Sequence, residues 1–208
     1  MRCVVVGAGA WGLSAAAELA ARGHDVTLLD RHGVGNPLSS SAGPTRLWRL
    51  THPDAVRVRL ARRSVDAWER LARASGREVT LRRGLLWRDD DSTLAHVVDA
   101  LRSEDVAHTE VAAAEVDQFF PGLRTDGRDA VWQPTAGPVF AAEALQAHAD
   151  LYAHAGGTLV VGPVVREVEL RSAGPVVHCA SGVSYEAEVV VLAPGPGAAP
   201  LLAGLGVQ

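Results

Sequence analysis

The sequence predicts a doubly wound, Rossmann-like α/β domain into which an incomplete α+β domain is inserted. Three observations near the N-terminus carry this prediction. An apolar strand at residues 2–6 runs into the turn Gly7-x-Gly9-x-x-Gly12, an Ala-rich helix follows, and the next strand ends on Asp30. A strand, a helix and a second strand in this order form the βαβ unit of a parallel sheet.

The elements after the turn follow from propensity and periodicity. The first helix is predicted at residues 11–22, because Ala and Leu favour helix and Gly23 stands where a C′ glycine would end it. Residues 33–45 are rich in Gly, Ser and Pro, which predicts a loop. Apolar residues recur at helical spacing over residues 54–74, which predicts an amphipathic helix with a solvated, Arg-rich face.

The rest of the chain is predicted to form short elements separated by Gly, Pro and polar turns. In the middle they are strands at 79–81 and 85–88, a polar turn at 89–92 that caps a helix at 93–101, a short helix at 113–119 and a strand at 130–133. Later they are a helix at 141–155, buried strands at 158–161 and 188–192, and an antiparallel meander at 164–170, 175–179 and 183–185.

The glycine turn has the spacing of a dinucleotide-binding loop. Gly7 would permit the tight strand-to-helix turn, Gly9 would let a pyrophosphate approach the backbone, and Gly12 would let the helix pack closely on the strand. The phosphates would lie on free N–H groups at the helix N-terminus, where the helix dipole favours anions. The alternative is a Gly-rich turn that binds nothing, but the flanking strand and helix and the position of Asp30 favour a nucleotide.

Composition excludes several classes of function. All 20 basic residues are Arg, which excludes a P-loop lysine and a Schiff-base lysine. The net charge is −4 and the Arg residues are interleaved with acids, so we expect no nucleic-acid partner. Cys3 and Cys179 have no metal-ligand spacing, and no metal site is predicted; buried, reduced thiols indicate the cytoplasm. The N-terminal apolar run is too short for a signal peptide or a membrane span, so no membrane partner is expected.

Several segments then form a pattern that spans almost the whole chain. They are Gly7–Gly12 with Asp30, the run Ser-Ser-Ser-Ala-Gly-Pro-Thr-Arg-Leu-Trp-Arg at 39–49, the helix carrying Trp68, Phe-Pro-Gly-Leu at 120–123, Gln-Pro-Thr-Ala-Gly at 133–137 and the late strand into 193–195. In order and spacing this pattern resembles the flavin-dependent amine oxidoreductases of the D-amino-acid oxidase/glycine oxidase superfamily. It is most similar to the monomeric sarcosine oxidase and N-methyltryptophan oxidase branch.

The resemblance implies a bound FAD and a set of residues to hold it. Residues 1–76 and 138–208 would form the FAD-binding domain, and 77–137 a partial substrate domain. The three glycines would hold the pyrophosphate, and Asp30 the hydroxyls of the adenosine ribose. Ser40, Gly43, Thr45 and Arg46 would run along the flavin and pyrophosphate, Val165 would read adenine through its backbone and Gly195 would contact the phosphates. The implied cofactor-binding set also includes Ala10, Trp11 and Arg31.

The resemblance also implies a substrate and a reaction. Arg49 matches the arginine that binds the substrate carboxylate, and its bidentate fork suits that group. We therefore assign Arg49 and the neighbouring Arg46 as the catalytic residues. The expected activity is oxidation of the C–N bond of a small or N-methylated amino acid to an imine, with hydrogen peroxide as the second product. The alternative for Arg49 is an ordinary surface arginine.

Family members continue well beyond the segment that matches residues 193–197. The cysteine that holds the flavin covalently and the lysine associated with oxygen activation lie in that later region, so the resemblance implies noncovalent FAD here. We expect a shortened member or one part of a split enzyme, with a complementing C-terminal chain or self-association. The alternatives are a non-catalytic nucleotide-binding remnant or interaction subunit, and a nicotinamide-dependent dehydrogenase. Trp11 and Trp48 could line a flavin pocket, although core positions are expected of such residues.

Overall fold

The computed structural model describes residues 1–124 and 126–207. Its β-strands are β1 (Arg2–Val6), β2 (Asp25–Asp30), β3 (Thr45–Trp48), β4 (Leu85–Arg88), β5 (Thr109–Val111), β6 (Ala130–Gln133), β7 (Gly137–Phe140), β8 (Thr158–Val161), β9 (Val165–Arg171), β10 (Gly174–Cys179), β11 (Ser184–Glu186) and β12 (Val189–Leu192). Its α-helices are α1 (Ala10–Ala21), α2 (Ala55–Ser75), α3 (Asp91–Ser103), α4 (Val116–Phe119), α5 (Ala141–His154) and α6 (Ala198–Gly204). Short 3-10 turns occupy Ala113–Glu115 and Gly195–Gly197.

The chain folds into two compact units. Unit 1 consists of the described residues of Met1–Pro44, Ala74–Arg77 and Ala141–Gln208, and unit 2 of those of Thr45–Arg73 and Glu78–Phe140. These boundaries differ from the predicted segments, because residues 45–73 group with unit 2 rather than with the nucleotide-binding part. The pairing of β3 with β7 accounts for the difference, since it joins Thr45 to Phe140 within unit 2.

Unit 1 contains the predicted parallel sheet, which confirms the doubly wound α/β prediction. Its strand order is β12-β1-β2-β8, and each neighbouring pair is parallel. Helices α1 and α5 cover one face, where Leu13, Leu28 and Leu145 are buried together. The meander β9-β10-β11 supplies Val168 and Val177 to the core on the other face. Both faces of β1 are therefore buried, as a central parallel strand requires.

Two strands predicted as buried are in fact exposed edge strands. β8 and β12 lie at the two ends of the sheet order. On β8, Leu159 is 38% exposed and Val161 is 55% exposed; on β12, Val189 is 37% exposed. The prediction was wrong because an apolar run indicates burial only where a strand has neighbours on both sides, and sequence alone does not give the strand order.

Unit 2 is built around the antiparallel sheet β4-β6-β5, with β3 and β7 paired separately. Its two faces carry different core clusters. One face packs Val131 and the partly buried Trp87 with residues of α2 and α3. The other packs Ala130 and Trp132 with the short helical segment that contains Phe119. Trp87 and Trp132 therefore lie on opposite faces of the same sheet.

Other predicted elements are placed with small changes. The helix at 93–101 extends over Asp91–Ser103, and the Asp90 carboxylate caps it by accepting the Thr93 N–H at 2.9 Å. The predicted strand at 79–81 makes only an isolated bridge from Thr80 to Val139. Strands β3, β5 and β7 and helix α6 were not predicted, because each is short and depends on a partner distant in sequence. Within the described ranges, no helix has both the length and the apolar character that a membrane crossing requires.

Candidate functional site

An open cavity of about 920 Å³ lies in unit 1 at the carboxyl ends of β1, β2 and β12. This is the edge at which doubly wound sheets bind their ligands. The predicted cofactor-binding residues that line it are Gly7, Gly9, Ala10, Trp11, Asp30, Arg31, Ser40, Val165 and Gly195. Residues that had not been assigned to cofactor binding line it as well, among them His32, Asn36, Ser39, Ser41 and Pro163.

Two glycines of the turn are required by the protein's own backbone. Gly7 has a φ of +102°, and a Cβ there would stand 2.2 Å from the carbonyl oxygen of Ala193. A Cβ on Gly12 would stand 1.7 Å from the carbonyl oxygen of Gly7. The first glycine therefore permits the turn and its contact with the end of β12, and the last permits close packing of α1 on that turn.

Gly9 has no such requirement. Its φ is −78°, which any residue adopts. The nearest atoms to a Cβ built on Gly9 would be Ser41 Oγ at 3.4 Å and Ser39 Oγ at 3.6 Å, which are ordinary contacts. Gly9 lines the cavity, so the absence of a side chain at this position leaves space in the cavity itself.

The N-terminus of α1 faces the same cavity and is not capped by a charged group. The N-cap residue Gly9 has no side chain to cap the helix, and the first turn contains no acidic residue. The Ala10 N–H donates to Ser41 Oγ at 3.0 Å. An anion could lie here on backbone donors and the positive end of the helix dipole. Ser41 belongs to the family-like run at 39–49, but only its neighbour Ser40 was assigned to cofactor binding.

The Asp30 carboxylate is anchored by three backbone donors. Its Oδ2 accepts the Ala8 N–H at 2.7 Å, and its Oδ1 accepts the N–H groups of His32 and Gly33, each at 2.7 Å. An ionised carboxylate has about four lone-pair positions. Oδ2 therefore retains one position for a hydroxyl donor, which is what a ribose would offer.

Three of the predicted cofactor-binding residues, Gly43, Thr45 and Arg46, do not line the cavity, and a fourth, Gly195, lines it from a turn. Gly43 lies in the loop of unit 1 with a φ of +110° and is not part of the cavity lining. Thr45 and Arg46 lie on β3 in unit 2, where the Arg46 guanidinium donates to the Thr45 carbonyl at 2.8 Å. At the end of β12, Gly195 has a φ of +59° and opens the 3-10 turn Gly195–Gly197.

The two tryptophans near the predicted site take opposite positions. Trp11 lines the cavity and is 84% exposed, so the expectation of a core position was wrong for it. Trp48 is in the core of unit 2, as expected. Its indole N–H donates to Ser64 Oγ at 2.8 Å and to the Ala61 carbonyl at 3.2 Å.

Arg49 is half-buried in unit 2, where Trp87 and Thr51 hold its side chain. The guanidinium carbon lies 4.0 Å from the centroid of the Trp87 ring, and Nη1 donates to the buried Thr51 hydroxyl at 3.3 Å. Burial lowers the pKa of Arg49, and the negative charge of Asp89 partly opposes this. None of the ion pairs formed among residues 1–124 and 126–207 includes Arg49. A desolvated cation without a carboxylate partner suits an anionic ligand.

The backbone beside Arg49 is fixed by a buried amide. Gln133 is fully buried, and its Oε1 accepts the Leu50 N–H at 2.7 Å. Its Nε2 donates to Thr135 Oγ1 at 3.3 Å. The segment 133–137, a landmark of the sequence pattern, thus fixes the position of the Arg49 segment across unit 2.

The residues of unit 1 fit a dinucleotide cofactor. The donors suit phosphate oxygens, because backbone N–H groups and a helix N-terminus face the cavity. The acceptor suits a ribose hydroxyl, because Asp30 keeps an acceptor position at the same edge. In the described part of the chain, no group of three or more His, Cys, Asp or Glu residues could hold a metal ion.

Comparison with known proteins identifies a family and several relatives. The sequence profile of the FAD dependent oxidoreductase (DAO) family matches residues 2–208. The chain is 32% identical to the monomeric sarcosine oxidase of Streptomyces avermitilis, with 98% of this chain and 54% of that protein covered. It is 28% identical to the peroxisomal sarcosine oxidase of Mus musculus, with 99% of this chain and 53% of that protein covered.

Two solved structures that resemble this chain are also those of amino acid oxidases. NikD, an unusual amino acid oxidase essential for nikkomycin biosynthesis, superposes in its open form with a TM-score of 0.88 and 30% identity, over 98% of this chain and 53% of NikD. Glycine oxidase from Geobacillus kaustophilus superposes with a TM-score of 0.85 and 25% identity, over 100% of this chain and 59% of that one. The chain therefore spans about half the length of the relatives it matches.

Proposed function

The chain belongs to the FAD dependent oxidoreductase family, and on this premise we propose that it binds FAD noncovalently in the cavity of unit 1. We further propose that it takes part in oxidising the C–N bond of a small or N-methylated amino acid. Membership of the family implies FAD as the cofactor. When bound, the flavin would supply the acceptor for the two electrons that leave the C–N bond.

One observation above all supports the cofactor proposal. Neither the φ of residue 9 nor the packing of the described protein requires a glycine there. Gly9 lies at the cavity, between the end of β1 and the start of α1. Close approach of a ligand to the backbone explains it, as a pyrophosphate would require. Gly7 and Gly12 shape the turn, and the N-terminus of α1, where the Ala10 N–H already donates to Ser41 Oγ, would face the phosphates.

The other cofactor contacts are proposed from the family pattern together with their positions. Asp30 would accept a ribose hydroxyl through the free position on Oδ2. Val165 and Gly195 line the same cavity as Arg31, Trp11 and Ser40, which supports contacts to the adenosine and phosphate parts. For Gly43, Thr45 and Arg46, contact with the flavin remains a proposal that depends on the family pattern alone.

The proposed substrate group is a carboxylate, bound by Arg49 with Arg46 as its neighbour on the same segment. The support is chemical: Arg49 is half-buried, held by Thr51 and Trp87, and has no ion-pair partner among the described residues. A guanidinium in that state would bind a carboxylate through two parallel hydrogen bonds and orient the amine end of the substrate.

Noncovalent attachment is supported by the cysteines of this chain. Cys3 is 1% exposed and Cys179 is 6% exposed, and burial raises the pKa of Cys179, which disfavours its reactive thiolate. Both are free thiols. Reduced, buried thiols also support a reducing compartment such as the cytoplasm.

A second polypeptide is proposed as partner, either a complementing chain similar to the other half of the relatives or a second copy of this chain. The support is the edge strand β12, which among residues 1–124 and 126–207 pairs with β1 alone and whose apolar residues Val190 and Leu192 stay partly exposed. An unpaired apolar edge is a site for strand addition. The same edge favours the second candidate function, a nucleotide-binding subunit without catalytic activity of its own.

The visible absorption spectrum of the purified chain tests the proposal. We expect flavin bands after incubation with FAD, and their complete release into the supernatant on acid precipitation. Peroxide formation with sarcosine would then support the oxidase assignment. Bound flavin without turnover would favour the noncatalytic subunit, and a chain that takes up no FAD would overturn the cofactor proposal.

A further inference from the structure

We propose that Trp87 is a positioning residue for Arg49: its indole face fixes the plane of the guanidinium so that the free edge can receive a carboxylate. The inference rests on the proposed substrate role of Arg49. It concerns a residue on strand β4, 38 positions away in sequence, which no motif of the chain connects to Arg49.

The Arg49 guanidinium and the Trp87 ring form a cation–π contact. The guanidinium carbon lies 4.0 Å from the ring centroid of Trp87, well within the distance at which such contacts are attractive. Stacking occupies the face of the guanidinium and leaves its N–H edge available. The Thr51 hydroxyl accepts from one nitrogen, Nη1, so N–H donors remain for a bidentate acceptor.

Trp87 is itself held in place. It lies on β4, opposite Val131 of the central strand β6. It packs against the same core cluster as Val58 and Val97 of helices α2 and α3. A ring fixed in this way can restrict the rotamers of a long side chain that rests on it.

Electrostatics explains why a stack, rather than a salt bridge, suits this position. A permanent carboxylate partner would occupy the fork and compete with a substrate. Asp89 is near enough to act on Arg49 through its charge, but it forms no ion pair with it among the described residues. The aromatic face stabilises the half-buried cation without using its hydrogen-bond donors.

The test compares four variants of the full chain. Trp87→Leu removes the aromatic face. Trp87→Phe keeps a face, and it costs no hydrogen bond because the buried Nε1 of Trp87 has no partner in the described structure. Trp132→Leu is the matched control, since it removes the same ring from the opposite face of the same sheet. Arg49→Ala tests the proposed carboxylate role itself.

Two readouts are taken on FAD-treated protein with ¹⁵N-labelled arginine. The first is the ring-current shift of the Arg49 side-chain N–H resonance. The second is the dissociation constant for sarcosine, followed by titration, with the carboxamide of sarcosine as the uncharged comparison. Loss of one ordered side chain predicts an affinity about three- to tenfold weaker in Trp87→Leu. We expect the ring-current shift to vanish with it, and both readouts to recover in Trp87→Phe.

The outcomes separate the inference from the function on which it rests. If Trp87→Leu binds sarcosine as well as the parent, or if Trp132→Leu weakens binding equally, the positioning role of Trp87 is wrong. If the parent shows no preference for sarcosine over its carboxamide, or Arg49→Ala retains the affinity, the substrate role of Arg49 is wrong. In that case the ring-current shift of the Arg49 N–H resonance still tests whether Trp87 fixes the guanidinium. If the parent protein shows no such shift, the proposed contact between Trp87 and Arg49 is wrong.

Discussion

The two anion sites proposed above, one in each unit of the molecule, are built in opposite ways. In unit 1 the proposed site is made of backbone: a turn shaped by Gly7 and Gly12 and the N-terminus of α1, which has no acidic residue in its first turn. In unit 2 it is one charged side chain, Arg49, held by Thr51 and Trp87. The first arrangement uses partial charges that cannot move, whereas the second depends on how well a flexible side chain is held.

This difference determines where each site is sensitive to substitution. A backbone site fails when an added Cβ displaces the chain, so its critical residues are glycines close together in sequence. A side-chain site fails when a supporting contact is lost, and those contacts come from distant segments, here Gln133 and Trp87. The predictions below test this contrast.

The largest effect is expected for Gly7→Ala. The new Cβ would meet the Ala193 carbonyl oxygen at 2.2 Å, at a residue whose φ is +102°. Strain and overlap together should destabilise the chain by about 3 kcal/mol or more. Urea unfolding followed by circular dichroism measures the change, and FAD uptake should be lost.

Gly9→Ala is the matched control two residues away. Its φ of −78° and nearest contact of 3.4 Å predict a free energy of unfolding within about 0.5 kcal/mol of the parent. FAD affinity should nevertheless fall about ten- to a hundredfold, as expected when one charge-assisted hydrogen bond to the phosphates is lost. A stable Gly9→Ala variant with parental FAD affinity would contradict the proposed approach of a ligand at Gly9.

An intermediate effect is expected for Gln133→Leu in unit 2. Leucine fills a similar volume but leaves the Leu50 N–H without its acceptor, which should cost about 1 to 3 kcal/mol. Urea unfolding measures the loss. Because Leu50 follows Arg49 in the chain, sarcosine affinity should fall as well, whereas FAD uptake by unit 1 should be unchanged.

Gln146→Leu provides the comparison for this substitution. Gln146 is exposed on α5, and its amide donates to Asp150 at 2.7 Å. The free energy of unfolding should change by less than about 0.5 kcal/mol. Equal losses in the two variants would mean that the buried amide has no special role in fixing the Arg49 segment.

The fold of unit 1 was predicted well because its determinants are local. The turn, α1 and Asp30 lie within 30 residues, and the steric requirements at Gly7 and Gly12 are those that their spacing indicates. What was missed there depends on strand order or on loop position. The edge exposure of β8 and the contact of Ser41 with Ala10 are examples.

Unit 2 was predicted less well for the same physical reason. Its helices α2 and α3 carry strong periodicity and a visible cap at Asp90, so they were found nearly in full. The strands β3, β5 and β7 have three or four residues each and form only when a distant partner is present. The support of Arg49 by Trp87 and Gln133 joins three separate segments, and no local pattern encodes it.

The two units each contain a histidine whose pKa is lowered, so their stability depends on pH. Burial lowers the pKa of His148 in unit 1. In unit 2, burial and then the charges of Arg49 and Arg57 lower the pKa of His52. The unfolded chain therefore binds more protons than the folded one below about pH 6.5, the ordinary pKa of histidine. The stability contributed by each neutral imidazole is present above that pH and is lost as the pH falls through the lowered folded-state pKa.

The smallest expected effect is a change in a histidine pKa, and it separates the contribution of burial from that of the Arg49 charge. Arg49→Met keeps most of the volume but removes the charge, so the pKa of His52 should rise toward its ordinary value while that of His148 stays unchanged. Titration of the imidazole C–H resonances by NMR measures both in one sample. If both pKa values move, the substitution has altered burial in general. If neither moves, the Arg49 charge does not reach His52, and the guanidinium is screened more effectively than its half-buried position on Trp87 implies.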